Sequence, residues 1–126
     1  MAMVEMIFVL PLLLFIVFAI AQFGLMFNRW LTLSNAVREG ARAAVVFRAP
    51  CNPGTVTTDV QGVVASYAQA GGVGIDAADV NVTGTLCGSP SGNTVTVDAT
   101  FDFELRIPFS DLGTIPLSSS SAMRRE

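Results

Sequence analysis

Glu5 is the first residue in this chain that raises a chemical question. From Met6 to Phe27 the sequence reads MIFVLPLLLFIVFAIAQFGLMF, without a single charge. An ionised carboxylate inside hydrocarbon costs about 3 kcal/mol on insertion scales. Glu5 therefore either sits hydrated at headgroup level or finds a partner. A free α-amine at Met1 of a neighbouring copy would be such a partner. Glu5 would be penalised when alone in lipid and satisfied when copies stack, which favours assembly and fixes an axial register.

The other groups able to do chemistry are few. Cys51 and Cys87 lie in polar stretches, AP-C-NPG and TL-C-GSP, with no CxxC or metal-type spacing. The chain has no His, so neither cysteine has the base a catalytic thiol needs. A structural disulfide is the better reading. It would close a loop of about 37 residues and contribute about 4 kcal/mol in the chain-entropy model. It would also place this part of the chain outside the cytoplasm. Asp98, Asp102 and Glu104 share one face of a candidate strand; a calcium site or acid/base pair is conceivable, but a solvated face explains the pattern better. Asp76 and Asp79 read as turn and capping chemistry. Asn81-Val82-Thr83 matches a glycosylation sequon that short sequences often match by chance. Without His, a nucleophile–base pair or a phosphate loop, no enzyme is expected, nor any cofactor or metal.

These groups must be placed by two kinds of element. Residues 6–27 would make roughly 33 Å of helix, enough to cross a bilayer core. The helical pattern continues through RWLTLSNAVREGARAAVVFRA, so one helix is expected from about Ala2 to Arg48, on the order of 70 Å long. Ala49-Pro50 should end it. Pro11 should kink it or open one backbone bond. Gln22 needs a polar partner in an apolar setting, and Gly24 is a second irregularity. In the second half Val37, Ala41, Ala44 and Val45 face one way, and Arg38, Glu39 and Arg42 another. Ala36, Gly40 and Ala44 form a small-residue strip that admits a close neighbour, either the chain's own sheet (the favoured reading) or another subunit's helix. The stripes Phe8/Phe15 and Phe23/Phe27/Trp30 read as packing surface.

The nearest basic residues, Arg29, Arg38, Arg42 and Arg48, all follow the span. Positive-inside logic would put that side in the cytoplasm, against the disulfide. The conflict disappears if a short basic leader preceded Met1 and was removed, making Met1 a mature terminus. A signal peptide cut after Ala19-Ile20-Ala21 is the rival, but it has no basic n-region and its apolar run continues past the cut. With net charge −3 and no Lys there is no basic patch, and nucleic acid is not an expected partner.

The remainder is polar enough to be water-soluble, although the whole chain is 52% hydrophobic with mean hydropathy +0.58. After Pro53-Gly54 a second helix is expected, with Thr55 as N-cap, Gly71 as C-cap and Val56, Val60, Val63, Val64 and Tyr67 on its apolar face. A strand follows from Val80 to Leu86, then a turn at SPSGN. Residues 94–105, TVTVDATFDFEL, alternate without a break, the mark of a half-buried antiparallel strand. Ile107-Pro108-Phe109 should end it, and LSSSSAMRR should form a third strand. The expected fold class is α+β: a long N-terminal helix packed by its second half on an antiparallel sheet of about three strands, plus one short helix. The division is 1–48 for the helix, with 1–27 as membrane or filament-core segment, and 49–126 for the exported module.

Val4-Glu5, Pro11-Leu12-Leu13-Leu14, Phe23-Gly24 and Asn35-Ala36-Val37-Arg38-Glu39-Gly40-Ala41-Arg42 together resemble the type IV pilin superfamily, and within it the TadE-like pilins. The likeness is concentrated in residues 1–46; Ala122-Met123-Arg124 is similar to that family's last strand, and Met6 stands where the family usually has Phe. The resemblance implies a precursor in the inner membrane, leader removal by a prepilin peptidase, often with methylation of residue 1, and polymerisation by a Tad-type machine. The product would be a homo-oligomeric helical filament. Met1, Glu5, Pro11, Gln22 and Gly24 are then the candidate assembly residues.

Overall fold

The computed structural model describes residues 2–46, 51–87, 92–107 and 110–125. Helix α1 runs Ala2–Val45 and helix α2 Pro53–Ala70; after a 3-10 turn, Ala77–Asp79, come β1, Val80–Gly84, β2, Thr94–Ile107, and β3, Ser110–Arg124. The strands form one antiparallel meander in the order β1-β2-β3. The fold is α+β, with the sheet and α2 both packed on α1.

The alternation read in residues 94–105 sets the sheet's two faces. Val95, Val97, Ala99 and Phe103 are buried, whereas Thr94, Thr100, Asp102 and Glu104 are exposed. The buried face meets Leu33, Ala36, Val37, Ala41 and Ala44 of α1 and Val56, Val60, Val64 and Ala68 of α2 in a single core. Arg38, Glu39 and Arg42 of α1 point to solvent. The second half of α1 is thus a core element of the module, because its apolar stripe has no other place to be buried.

Several boundaries differ from the sequence expectation. The N-cap of α2 is Asn52, not Thr55: its Oδ1 accepts from Gly54 N at 3.0 Å, and Pro53 opens the helix. Asn is among the strongest caps, and Pro at the first helical position loses only an amide that would have lacked a partner. Gly71 is the C-cap. Tyr67 is 46% exposed, and Ala68 takes its place on the seam. The buried row is a strict four-residue step, and a small side chain at its end lets α2 lie close to α1. Strand β1 stops at Gly84, whose φ of +117° turns the chain, and Leu86 enters the core beyond it. Strand β2 continues to Ile107 past a register shift between Glu104 and Arg106, and β3 begins at Ser110 rather than near Leu117. Antiparallel pairing along a long partner extends β3 through residues whose own pattern is uninformative. Helix α1 stops at Val45, with Val46 already in a bend, short of the expected end near Arg48; Arg48, Ala49-Pro50, most of the SPSGN turn and the Pro108-Phe109 break lie outside the described residues.

Cys51 and Cys87 are joined, with a Cα–Cα distance of 5.7 Å. The bridge ties the segment before α2 to the segment after β1, and both cysteines pack against the core. Beside it, the guanidinium of buried Arg125 donates to the carbonyl of Leu86 at 3.0 Å. Gln61 Nε2 donates to Val80 O at 3.0 Å and fastens α2 to the start of β1.

Candidate assembly and membrane surface

The largest apolar surface is the first half of α1. Every apolar side chain from Met3 to Ile20 is exposed, and Phe23, Leu25, Phe27, Trp30 and Leu31 continue the surface. Among the described residues one helix is long and apolar enough to cross a membrane, and its most apolar window is wholly unburied. An exposed apolar patch of this extent in water would aggregate, so the surface requires a non-aqueous partner.

The expected assembly residues are spread along this helix. Glu5 is exposed in its first turn. Pro11 lies inside a helix that continues on both sides of it. Its ring removes one backbone donor, and its neighbours Met3, Met6, Ile7 and Leu10 line a shallow apolar depression with it. Gly24 is exposed, and a Cβ there would meet nothing within 4 Å, so nothing in the single chain calls for glycine at this position. Gln22 is half-buried, the one polar residue among those lining a groove of about 260 Å³ with Phe15, Ala19, Phe23, Met26, Leu105 and Ile115. Met1 lies outside the described residues.

The small-residue strip is placed differently. Ala36, Gly40 and Ala44 are buried inside the module. A Cβ on Gly40 would collide with Cγ2 of Val64 and lie 3.6 Å from Val60 Cγ1 and 3.7 Å from Val97 Cγ1. The close approach the strip permits is to the chain's own α2 and β2, leaving no room there for a second subunit's helix.

The polar candidates sit on the module's surface. Asn81 is exposed on β1, where it pairs with Asp98 of β2. Asp79 accepts from the backbone N–H of Asp76 at 3.0 Å, closing the capping box of the 3-10 turn. Asp102 and Glu104 are exposed and Asp98 half-buried. Among the described residues no group of three or more His, Cys, Asp or Glu is arranged to hold a metal.

Two features were not legible in the sequence. The Arg29 guanidinium lies over Phe101 and Phe103, 5.9 and 5.2 Å from the ring centroids, and so joins the end of the apolar run to the sheet. The stacked pair Phe27–Trp30, with centroids 5.9 Å apart, flanks it. The second is the groove itself, since Leu105 and Ile115 give no sign in the sequence of meeting residues 15–26.

Fold and surface together define a small α+β module built around the second half of a helix whose first half is an apolar stalk. Residues 1–42, of which 2–42 lie within this helix, match the model of the family described as TadE-like protein. That family is related to the Tad pilus, and it is a structural family rather than an enzyme family. No curated protein and no solved structure matches the chain.

Proposed function

We propose that this chain is a structural pilin subunit that polymerises through its apolar N-terminal helix into a type IV pilus-like filament of the Tad type. The observation that carries the reading is the 44-residue helix α1, apolar and uncovered in its first half and folded into the module in its second. One helix thus presents a surface for lipid or for other helices at one end and a water-soluble coat at the other. Residues 1–27 form the membrane or filament-core segment, α1 continues to Val45 within the coat, and residues 49–126 complete the exported module. The precursor is held in the inner membrane, processed by a prepilin peptidase and moved by Tad-type machinery into a filament at the cell surface. The free-energy change is modest, because the helix exchanges one apolar environment for another. Packing and satisfaction of Glu5 then decide the direction. The match of the first 42 residues to the TadE-like model supports this class and leaves the chain's rank in the filament to experiment.

The test is quantitative mass spectrometry of filaments sheared from the cell surface, reading the chain's abundance and its N-terminal peptide. A dominant chain that begins at methylated Met1 supports the building-block role. A scarce but processed chain makes it a minor pilin that initiates or tips the filament. A chain retained wholly in the membrane with its leader intact overturns the pilin reading in favour of a bitopic anchor with an outer binding module.

A further inference from the structure

The sheet lies lengthwise on α1 and can be followed along it. Val97 faces Gly40, Phe101 and Phe103 face Arg29, and Leu105 meets the groove of Phe15, Ala19, Gln22, Phe23 and Met26. A strand advances about 3.4 Å per residue and a helix 1.5 Å, so each residue of β2 passes about two residues of α1. Pairing of β2 with β3 continues beyond Leu105, through Arg106↔Asp111 to Ile107↔Ser110. Leu105 of β2 and Ile115 of β3 therefore lie beside residues that hydropathy alone would place inside the bilayer. Phe15 is about 18 Å below Phe27 along the helix.

That overlap creates a physical conflict. Strand β3 is at the edge of the sheet, and β1 pairs β2 only as far as Ala99. From Thr100 onward, among the described residues, no strand pairs with either outer edge of the hairpin. Peptide groups left unpaired in hydrocarbon cost several kcal/mol each, which is why open sheet edges do not occur there. In the headgroup layer water satisfies the same groups. The groove, for its part, is lined by apolar side chains apart from Gln22 and is continuous with the uncovered apolar surface of α1, so lipid is the occupant it matches.

We propose that β2 and β3 around Leu105 and Ile115 rest in the headgroup layer of the bilayer and set the depth of α1, with upper acyl-chain and headgroup atoms filling the groove between Phe15–Met26 and Leu105/Ile115. The hydrocarbon-embedded part of α1 is then residues 6–18 or so, rather than 6–27, with Glu5 at the opposite headgroup level. This inference rests on the membrane-inserted precursor of the proposed function. Thirteen helical residues measure about 20 Å, about 10 Å short of a typical hydrocarbon core of about 30 Å. Local thinning of the bilayer accommodates such a mismatch at modest cost. The device gives the precursor a fixed height in the membrane before it is extracted.

The test uses the full chain in phosphatidylcholine–phosphatidylglycerol vesicles, with Trp30→Phe as background and one new tryptophan at a time. The exposed positions Leu13, Ile20 and Ile115 are replaced, and quenching is compared between lipids brominated near the headgroup and near the chain ends. Leu13→Trp should be quenched more by the deep bromines, and Ile20→Trp and Ile115→Trp more by the shallow ones. Stronger quenching of Ile20→Trp by deep bromines returns the span to residues 6–27 and overturns the proposal, as does an Ile115→Trp that no bromolipid reaches. If Leu13→Trp is also unquenched, it is the membrane span that fails. Near-ultraviolet circular dichroism of each variant, reporting Tyr67 and the module's packing, establishes that the fold is retained.

Discussion

Replacing Gly40 with alanine sets two effects of opposite sign against each other. Alanine is favoured over glycine in a helix interior by about 1 kcal/mol. Yet the added Cβ would overlap Cγ2 of Val64, which is fully buried. Forcing an extra methyl into a packed seam costs about 1–3 kcal/mol. The net expectation is a loss of up to about 2 kcal/mol after the propensity gain. The change in the opposite setting is Gly24→Ala, where the new methyl meets nothing in the chain. It should show the gain of about 1 kcal/mol undiminished in the isolated subunit. The assay is guanidinium unfolding of the disulfide-intact chain in detergent, followed by near-ultraviolet circular dichroism. Val64→Ala supplies the control. By itself it leaves a cavity, but combined with Gly40→Ala it removes the methyl that clashes. The double variant should therefore be more stable than the sum of the single changes, by at least about 1 kcal/mol. Additive single changes, or a Gly40→Ala variant stabilised by the whole propensity gain, would refute the claim that this strip faces α2.

Four further outcomes are expected. Reducing the Cys51–Cys87 bridge, whose cysteines are 36 residues apart, should cost about 4 kcal/mol in denaturant unfolding measured with and without reductant. Asn52→Ala should destabilise the chain by about 1 kcal/mol, and Thr55→Ala should change stability by no more than about 0.5 kcal/mol, because the cap is Asn52. Arg29→Met, which keeps the apolar stem, should lose about 1 kcal/mol of contact with Phe101 and Phe103 in the same assay. Glu5→Ala should leave the module's unfolding unchanged but slow filament appearance in sheared fractions, and assembly at the normal rate would remove the role given to Glu5.

Much of the module could be read because its signals are local. Alternation over residues 94–105 determined which side of β2 is buried, and the four-residue recurrence of Val56, Val60 and Val64 determined the face of α2. The errors came where a distant partner outranked the local pattern. Strand β3 begins at Ser110 because β2 supplies a continuous ladder, although SDLGTIPLSSSS shows no clear alternation of its own. Tyr67 looked like a core residue by spacing, but it is exposed and the buried row ends at Ala68. Arg125 was invisible as a buried donor, since its partner Leu86 O lies 39 residues away in sequence.

The sequence by itself determined that a long helix begins with a lone glutamate and an uncharged apolar run, and that a disulfide-capable α+β module follows it. Hydropathy and periodicity are sums over neighbouring residues, so such elements and their class are written along the chain. Tertiary structure alone decided what each face of that helix meets. Gly40 and Gly24 are the same residue type in the same helix, yet one is sealed against Val64 and the other is open. Residues 15–26 and the uncovered residues before them are equally apolar, yet one side of the former is occupied by Leu105 and Ile115. Burial depends on which surfaces the folded chain brings together, and local composition carries no record of that.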